Sequence, residues 1–447
     1  MKMADMAHSK MTGPKMPTMI ATFAIIAGAI WRWYMVYVAY RPSENIFSDI
    51  AAYVSVAERM LQPGRTLDGL DLIQPAGTSL LLSISLYFTG SLVGADAMWF
   101  IISALTPILW FLTAKQMFGT RIGVVVAIWT SFHFSSITFA SMFMSETPFT
   151  FLVAAGWLCV ARTVAGPENK QLQWAAAAGL LWGLSLLFRG QALCLLLMLF
   201  VISAFDLGRI GITQKNLLIQ LRKPLTTTLV SFVLVALSMG VFFSLRAGQP
   251  MLTSLNFGGT ALMGHLPDAA EVKFEPPGKN FYHVYGSPAV HQRRPEAKYL
   301  YPFSIVDNKA AMASAWQTFK ENPLRYIMMS FKSAGEAFFG NDPWPANQQP
   351  FADWLRLYES LFLLMGIVPA CTMVLHAVAS NLSGTRQVMM LAVPITGVWI
   401  MSFITQGESR YRIPFDGEFI ILSVIIWTAI WSSIKARVTG SITGQLS

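Results

Sequence analysis

The stretch Phe47-Ser48-Asp49-Ile50-Ala51-Ala52-Tyr53, followed by Gln74-Pro75-Ala76-Gly77, decides how the rest of the chain is interpreted. It places Asp49 just beyond the first long apolar run, in a chain of which only 12% of residues are charged. A carboxylate at a membrane boundary is costly, and such residues usually mark functional sites. Asp49 is therefore the first candidate for a catalytic group. The run that follows is helix-like, so the structural alternative is that Asp49 only caps a helix.

The composition indicates a polytopic membrane protein. The chain has 447 residues, 54% of them hydrophobic, whereas a soluble domain has roughly 45–50% apolar and about 25% charged residues. The net charge of +9 comes from Lys and Arg that lie mostly in short segments between apolar runs, as in cytoplasmic loops. The expected partner is therefore the lipid bilayer and not nucleic acid. All three cysteines lie inside apolar runs, which argues against a disulfide framework or a zinc site.

Apolar runs and loop charges together predict ten transmembrane spans, with the N-terminus inside. The spans are 17–40, 95–114, 122–143, 147–164, 173–188, 191–207, 225–245, 355–378, 387–405 and 414–434. A further apolar run, 76–90, would reach roughly 22 Å as a helix, against a hydrocarbon core of about 30 Å. If it crossed, the basic loop 209–223 would face outward, so we expect it to lie at the interface.

The expected fold is an all-α bundle of about ten transmembrane helices with interfacial helices in the first outer loop. Three regions follow: an N-terminal module 1–245 that contains the first outer loop 41–94, a small extracytoplasmic segment 246–353, and C-terminal helices 354–447. The end of the extracytoplasmic segment, from Asn322 through Ala337, has the pattern of an amphipathic surface helix.

This topology brings charged residues from most of the chain to the outer ends of the spans. They are Asp49, Glu146, Arg189, Arg246, Arg410 and Arg412. Carboxylates and arginines at headgroup depth suit a reaction in which arginines hold an anionic leaving group and a carboxylate activates a nucleophile. A lipid-linked phosphosugar fits, because guanidinium groups match phosphate oxygens bidentately. The alternatives are structural: Arg246 and Arg412 as snorkelling anchors, and Glu146 as the acid that opens a helix before a proline.

An ordered set of segments resembles the GT-C glycosyltransferases, the bacterial relatives of protein O-mannosyltransferases and of the lipid A aminoarabinose transferase. The resemblance begins with the two opening segments and covers about 40–420. It continues through Ser145-Glu146-Thr147, Leu187-Phe188-Arg189-Gly190-Gln191, Ser244-Leu245-Arg246, Gly258-Gly259, Gly264-His265, Glu321-Asn322-Pro323-Leu324-Arg325-Tyr326 and Glu408-Ser409-Arg410-Tyr411-Arg412-Ile413-Pro414.

The resemblance implies an enzyme of the EC 2.4 class that takes a sugar, with inversion, from a polyprenyl-phosphate donor. The acceptor would be a lipid, glycan or protein on the outer face of a bacterial cytoplasmic (inner) membrane. Asp49 would be the catalytic base or the group that orients the acceptor. The candidate donor-phosphate ligands are Arg189, Arg246, Arg410 and Arg412, and the candidate supporting residues are Tyr53, Gln74, Glu146 and His265.

Two departures from the family pattern bear on cofactors and donor binding. The family often has a second acid directly after the first-loop Asp, where this chain has Ile50. A divalent cation is therefore possible but not supported by the sequence, and no metal ligand is assigned. Gln74 stands where His or Lys is common, which weakens a donor-phosphate contact there.

Three other functions stay open at this point. An O-antigen ligase or polymerase also combines many spans with a long outer loop and arginines, but it would not need Asp49. A secondary transporter would place its charges near mid-bilayer and show repeat symmetry, whereas the charges here lie at span ends and no repeat is evident. A non-enzymatic assembly subunit is compatible with the small number of acids.

Overall fold

The computed structural model describes residues 15–65, 67–69, 71–197, 215–265, 271–274, 281–283, 298–301, 307–340, 351–380 and 385–444. These residues are mostly helical. The N-terminal helices are α1 (Lys15–Tyr34), α2 (Ser48–Met60), α3 (Gly77–Thr89), α4 (Val93–Phe118), α5 (Thr120–Ser131), α6 (Phe134–Ala140), α7 (Glu146–Ala165), α8 (Gln171–Ser185) and α9 (Lys215–Ala247). The later helices are α10 (Phe257–Met263), α11 (Asn308–Glu321), α12 (Pro323–Phe339), α13 (Ala352–Phe362), α14 (Val368–Ser380), α15 (Thr385–Ile404) and α16 (Asp416–Gly444).

Seven helices in the described part of the chain are long and apolar enough to cross a membrane, and an eighth span is possible if one bent pair counts as one. The predicted span 173–188 corresponds to α8, which has only 15 residues. Most of the predicted span 191–207 lies outside the described residues. The run at 76–90 forms the short apolar helix α3, of 13 residues. The chain is thus a polytopic helical membrane protein, as expected.

The predicted span 122–143 is not one continuous helix. It consists of α5 and α6, which meet at a 50° bend. Arg32, fully buried in α1, donates to the carbonyls of Ser131 at 2.5 Å and of Thr130 at 3.0 Å, at the end of α5. Because α5 ends at Ser131, no following helical turn donates N–H groups to these two carbonyls. The Arg32 guanidinium donates the hydrogen bonds instead.

The segment 246–353 also contains a small sheet, which the sequence analysis did not predict. Strands β1 (Glu271–Phe274), β2 (Phe281–His283) and β3 (Lys298–Tyr301) form a three-stranded sheet in the order β2-β1-β3. β1 pairs antiparallel with β2, with Lys273 opposite Tyr282, and parallel with β3, with Lys273 opposite Leu300.

Indole rings packed against glycines form the centre of the bundle. Trp157 on α7 and Trp182 on α8 meet edge to face at 5.6 Å, and a Cβ on Gly156 would collide with the second ring. Likewise, a Cβ on Gly417 in α16 would collide with the ring of Trp110 on α4. Small residues at such contacts let membrane helices approach closely, which explains how α16 joins the N-terminal helices.

Candidate active site

The segment Gln74-Pro75-Ala76-Gly77 is held in place by a backbone contact between Gly77 and Leu187. Gly77 donates its N–H to the carbonyl of Leu187 at 2.7 Å, and a Cβ on Gly77 would also lie 2.7 Å from that oxygen. Only a glycine allows this approach. The loop 41–94 therefore lies directly against the segment that carries Arg189, and Gln74 lines the cavity together with Arg189.

The segment carrying Glu408 and Arg410 is held by glycines in a similar way. A Cβ on Gly407 would collide with the carbonyl oxygen of Ser333 on α12, and one on Gly264 would lie 2.5 Å from the carbonyl of Thr405. The segment after α15 is thus wedged between α10 and α12. This packing turns the 3₁₀ turn Ser409–Tyr411 toward the first outer loop.

Asp49 lies against that turn. Its Oδ2 accepts a hydrogen bond from Arg410 Nη1 at 3.0 Å, and the two side chains are 15% and 10% exposed. Arg410 Nε also contacts Glu408 Oε2 at 2.5 Å, and Glu408 Oε1 accepts from the Gln406 amide at 2.6 Å. One guanidinium therefore bridges two carboxylates that come from opposite ends of the sequence.

Arg189 forms a second charged pair beside the first. Its Nη1 lies 2.5 Å from Oε1 of Glu146, which is fully buried at the start of α7, and its Nε donates to Gln191 at 2.9 Å. The ring of Tyr411 lies 5.0 Å from the Arg189 guanidinium and 5.4 Å from that of Arg410. The two cations are thus separated by one aromatic ring, which both stabilises and spaces them.

These groups line a cavity of about 1150 Å³, counting the space that opens to solvent. The lining includes the charged residues Asp49, Arg189, Glu408 and Arg410, with Tyr53 and Tyr411. The uncharged lining residues include Gln74 and, at the start of α10 and just before it, Thr253, Ser254, Asn256 and Phe257. The cavity draws on all three regions of the sequence.

Burial alters the acidity of two groups in this cavity. The pKa of Tyr53 is raised, mainly by desolvation and then by the negative charges of Asp49 and Glu146, so its phenol stays protonated. Desolvation also raises the pKa of Glu408, an effect that Arg410 opposes and that Asp49 adds to. The cavity therefore contains two carboxylates that contact one guanidinium, with side-chain exposures of 15% for Asp49 and 11% for Glu408.

The Asp49 side chain does not cap a helix. α2 begins one residue earlier, at Ser48, and no side chain hydrogen bond caps its N-terminus. Ser48 has a φ of +45°, a conformation that costs a residue with a side chain about 1–3 kcal/mol. The Asp49 carboxylate instead points at Arg410, so the structure does not support the capping alternative.

Arg412 does not fit the expectation of a donor-phosphate ligand. It is 1% exposed and lies away from the cavity, paired with Glu359 and with Asp416, whose Oδ1 is 2.8 Å from Nε. It also donates to the carbonyl of Phe338 at 3.2 Å. These contacts join α12, α13 and α16, so Arg412 ties helices together inside the bundle.

Two further candidates also lie outside the cavity lining. Arg246 is exposed near the end of α9, with its guanidinium 5.5 Å from the Phe242 ring. His265 is buried between the carbonyl of Ala261 at 2.6 Å and the hydroxyl of Ser330 at 2.8 Å. Both contacts are structural, and burial lowers the pKa of the imidazole.

The sequence reasoning did not assign Glu408, Gln406 or Tyr411 to the site. The available signal was the acid Glu408 between two small residues, just before the arginine pair and at the outer end of a span. Among the described residues, no three carboxylate, imidazole or thiol side chains converge in a way that would hold a metal ion. The cavity carboxylates instead face guanidinium groups.

Comparison with known proteins yields matches only among solved structures. No protein-family model matches the chain, and no curated protein matches it. The oligosaccharyltransferase of Archaeoglobus fulgidus in its apo form superposes with a TM-score of 0.53 at 11% identity, over 94% of this chain and 52% of that one. The same enzyme tethered to an acceptor peptide containing the NVT sequon gives 0.52 at 10% identity, over 93% and 50%.

At such low identity the likeness establishes the fold alone. The chain has the GT-C fold of membrane glycosyltransferases, as the resemblance in its motifs indicated. It spans about half the length of the solved structures it matches.

Proposed function

We propose that the protein transfers a glycosyl unit from an isoprenoid-phosphate donor to a hydroxyl-bearing acceptor at the outer face of a bacterial cytoplasmic membrane. The observation that carries the proposal is the convergence of Asp49, Arg189, Glu408 and Arg410 on one cavity of a GT-C fold. A carboxylate beside two arginines supports transfer away from a phosphate, because the carboxylate can accept a proton while the arginines hold the leaving group.

Asp49 is the proposed base because its carboxylate is the more accessible of the two that Arg410 bridges. It would accept the proton of the acceptor hydroxyl as that oxygen attacks the anomeric carbon. The bond from the anomeric carbon to the donor phosphate oxygen breaks in the same step, and the isoprenoid phosphate leaves with the electron pair. One displacement inverts the anomeric centre.

Arg189 and Arg410 are the proposed ligands of the leaving phosphate. Each already holds a carboxylate, so a phosphate must share or displace these contacts. If the phosphate takes Arg410, Asp49 loses its hydrogen bond to Nη1, and its carboxylate becomes available to the acceptor hydroxyl. Donor binding and activation of the base would then be one event.

The direct test is transfer of label. Purified protein is incubated with a panel of radiolabelled polyprenyl-phosphate sugars and a membrane extract, and labelled products are separated from the donors. We expect transfer by the native protein and a loss of at least about 100-fold in Asp49→Asn. If no donor in the panel yields product, or if the variant matches the native rate, the proposal fails.

A further inference from the structure

The hydroxyl of Ser145 lies between the two members of the buried pair Glu146 and Arg189. Ser145 is itself buried and lines the cavity. Its Oγ donates to Glu146 Oε2 at 3.2 Å and accepts from Arg189 Nη1 at 3.3 Å. A hydroxyl has one hydrogen and two lone pairs, so these two contacts leave one lone pair for a third partner.

The third partner is Tyr53 on α2. A hydrogen bond between the Ser145 and Tyr53 side chains opposes the desolvation that raises the pKa of the phenol. Because the Ser145 hydrogen is directed to Glu146, the phenol is the donor in this contact. The Tyr53 ring is buried in the same apolar cluster as Phe143 and Met144, just before Ser145, so packing holds the two side chains together.

The backbone on both sides of Ser145 is tied to neighbouring elements. The carbonyl of Met144 accepts from the indole nitrogen of Trp99 at 3.3 Å, and Trp99 is fully buried on α4. The hydroxyl of Thr147 donates to the carbonyl of Phe139, on α6, at 2.9 Å. The Ser145 hydroxyl is therefore presented from a fixed backbone, as a positioning group requires.

Ser145 links the helix that carries Asp49 to the pair that carries Arg189. Tyr53 follows Asp49 by four residues on α2, so the two side chains lie on one face of that helix, and both line the cavity. A shift of Tyr53 along or across the cavity would therefore carry Asp49 with it. Through one hydroxyl, the position of Asp49 depends on the position of Arg189.

We propose that Ser145 is a positioning residue that sets the separation between Asp49 and Arg189. The inference rests on the proposed glycosyl transfer, in which Asp49 takes the proton of the acceptor and Arg189 holds the leaving phosphate. The two groups act on the two ends of one displacement, so the rate depends on the distance between them. Ser145 acts through Tyr53 and Arg189.

A kinetic cycle tests the link. Ser145→Ala, Tyr53→Phe and the double variant are compared with the native protein, with kcat and KM measured for the labelled donor that the native protein uses. We expect kcat to fall about tenfold in Ser145→Ala and by a smaller factor in Tyr53→Phe, with donor KM within about twofold of the native value. The double variant should match Ser145→Ala, because both changes remove the same hydrogen bond.

Two kinetic results would overturn the proposal. Losses in kcat that multiply in the double variant would show that Ser145 and Tyr53 act independently. A tenfold rise in donor KM with unchanged kcat would make Ser145 a donor-binding residue and not a positioning one. Ser145→Thr keeps the hydroxyl and, where it folds, should return kcat to within about threefold of the native value; a folded Thr variant as slow as Ser145→Ala counts against the role of the hydroxyl.

The matched control is Ser423→Ala in α16. Ser423 is fully buried, and its Oγ lies 2.6 Å from the carbonyl oxygens of Gly366 and Phe419. This variant also loses a buried hydroxyl, but it should keep the native kcat, and its effect on unfolding should add to that of Tyr53→Phe. A fall in kcat equal to that in Ser145→Ala would mean that lost stability, and not positioning, explains both.

Unfolding in SDS micelles tests the hydrogen bond without using turnover. The double variant of Ser145 and Tyr53 should unfold at a midpoint no lower than that of Ser145→Ala, because removing both partners leaves neither one unsatisfied. A midpoint lowered by the full Tyr53→Phe shift would show that the bond is absent and would overturn the inference. If the native protein transfers no label, the proposed function fails even where this coupling is found; if it does transfer label and the kcat losses multiply, only the positioning role fails.

Discussion

The pair formed by Glu146 and Arg189 should be worth more to stability than any exposed ion pair in the molecule. Glu146 is fully buried and the Arg189 side chain is 9% exposed, with 2.5 Å between Oε1 and Nη1. Removing one partner of a buried pair usually costs about 3–5 kcal/mol, because the remaining charge is left uncompensated.

The contacts of the two residues predict which variant suffers more. Without Glu146, the guanidinium keeps Gln191 and Ser145 as partners and the Tyr411 ring beside it, so Glu146→Ala should cost about 3 kcal/mol. Without Arg189, the carboxylate keeps only the Ser145 hydroxyl among the described residues, at 3.2 Å. Arg189→Ala should therefore lower the free energy of unfolding by about 5 kcal/mol, near the upper end of the usual cost of breaking a buried pair.

A double-mutant cycle measures the coupling. Both single variants and the double variant are unfolded reversibly in mixed micelles of increasing SDS content, with tryptophan fluorescence as the signal. The double variant should be more stable than the sum of the single losses predicts, by about 2–3 kcal/mol.

The control cycle uses the pair Asp353 and Arg356, whose side chains are 95% and 39% exposed at 3.0 Å. It should show coupling below about 0.5 kcal/mol. Additive losses in the Glu146 cycle, or coupling no larger than in the control, would refute the view that burial makes this pair a structural support of the cavity.

Three further predictions concern the base, the loop contact and the topology. Asp49→Asn keeps the shape of the side chain and an acceptor for Arg410, so turnover should fall about 100-fold or more while the unfolding midpoint stays near that of the native protein; a comparable loss of stability would make Asp49 structural. Gly77→Ala should separate the first loop from its neighbour and reduce both stability and transfer rate, whereas Gly335→Ala, where a Cβ meets nothing within 4 Å, should be neutral or slightly stabilising; equal effects of the two would contradict the contact argument. Cysteine at Gln116 should resist a membrane-impermeant thiol reagent in intact cells and cysteine at Leu61 should react, and the reverse pattern would invert the topology.

Loop charges and span lengths were enough to predict a polytopic helical bundle, and they predict a membrane level for each charged residue. They specify depth but not the direction in which a side chain points. Arg410 and Arg412 are two residues apart at the same depth, yet the 3₁₀ turn Ser409–Tyr411 directs the first into the cavity and the second into the bundle. The two directions depend on where Asp49 and Asp416 lie in the folded protein, and the sequence pattern does not specify those positions.

The bend in the third span was missed for a related reason. The run 122–143 is apolar enough to pass as one helix, and its interruption depends on a residue about 100 positions earlier. Arg32 lies inside the first span without an acid nearby in sequence, which signals a buried partner but does not identify it. The partners are backbone carbonyls of Thr130 and Ser131, which composition cannot reveal.

The charge balance of the cavity predicts how donor binding depends on pH. With Asp49, Glu146 and Glu408 ionised, three negative charges face the two positive charges of Arg189 and Arg410, so an incoming phosphate meets a net negative cluster.

Glu408 is the group best placed to relieve this excess. Its pKa is raised by desolvation and by Asp49, against the opposing effect of Arg410 and Arg189. Below that pKa Glu408 is neutral and leaves Arg410 more available to phosphate; as pH rises through it, the carboxylate ionises and competes. Donor affinity should therefore fall as pH rises through the raised pKa of Glu408. In Glu408→Gln, donor affinity should depend less on pH and stay close to that of the native protein at low pH.

The measurement is donor binding by the native protein and this variant across a pH series in one detergent. An unchanged pH profile in Glu408→Gln would refute the assignment of this pH dependence to Glu408.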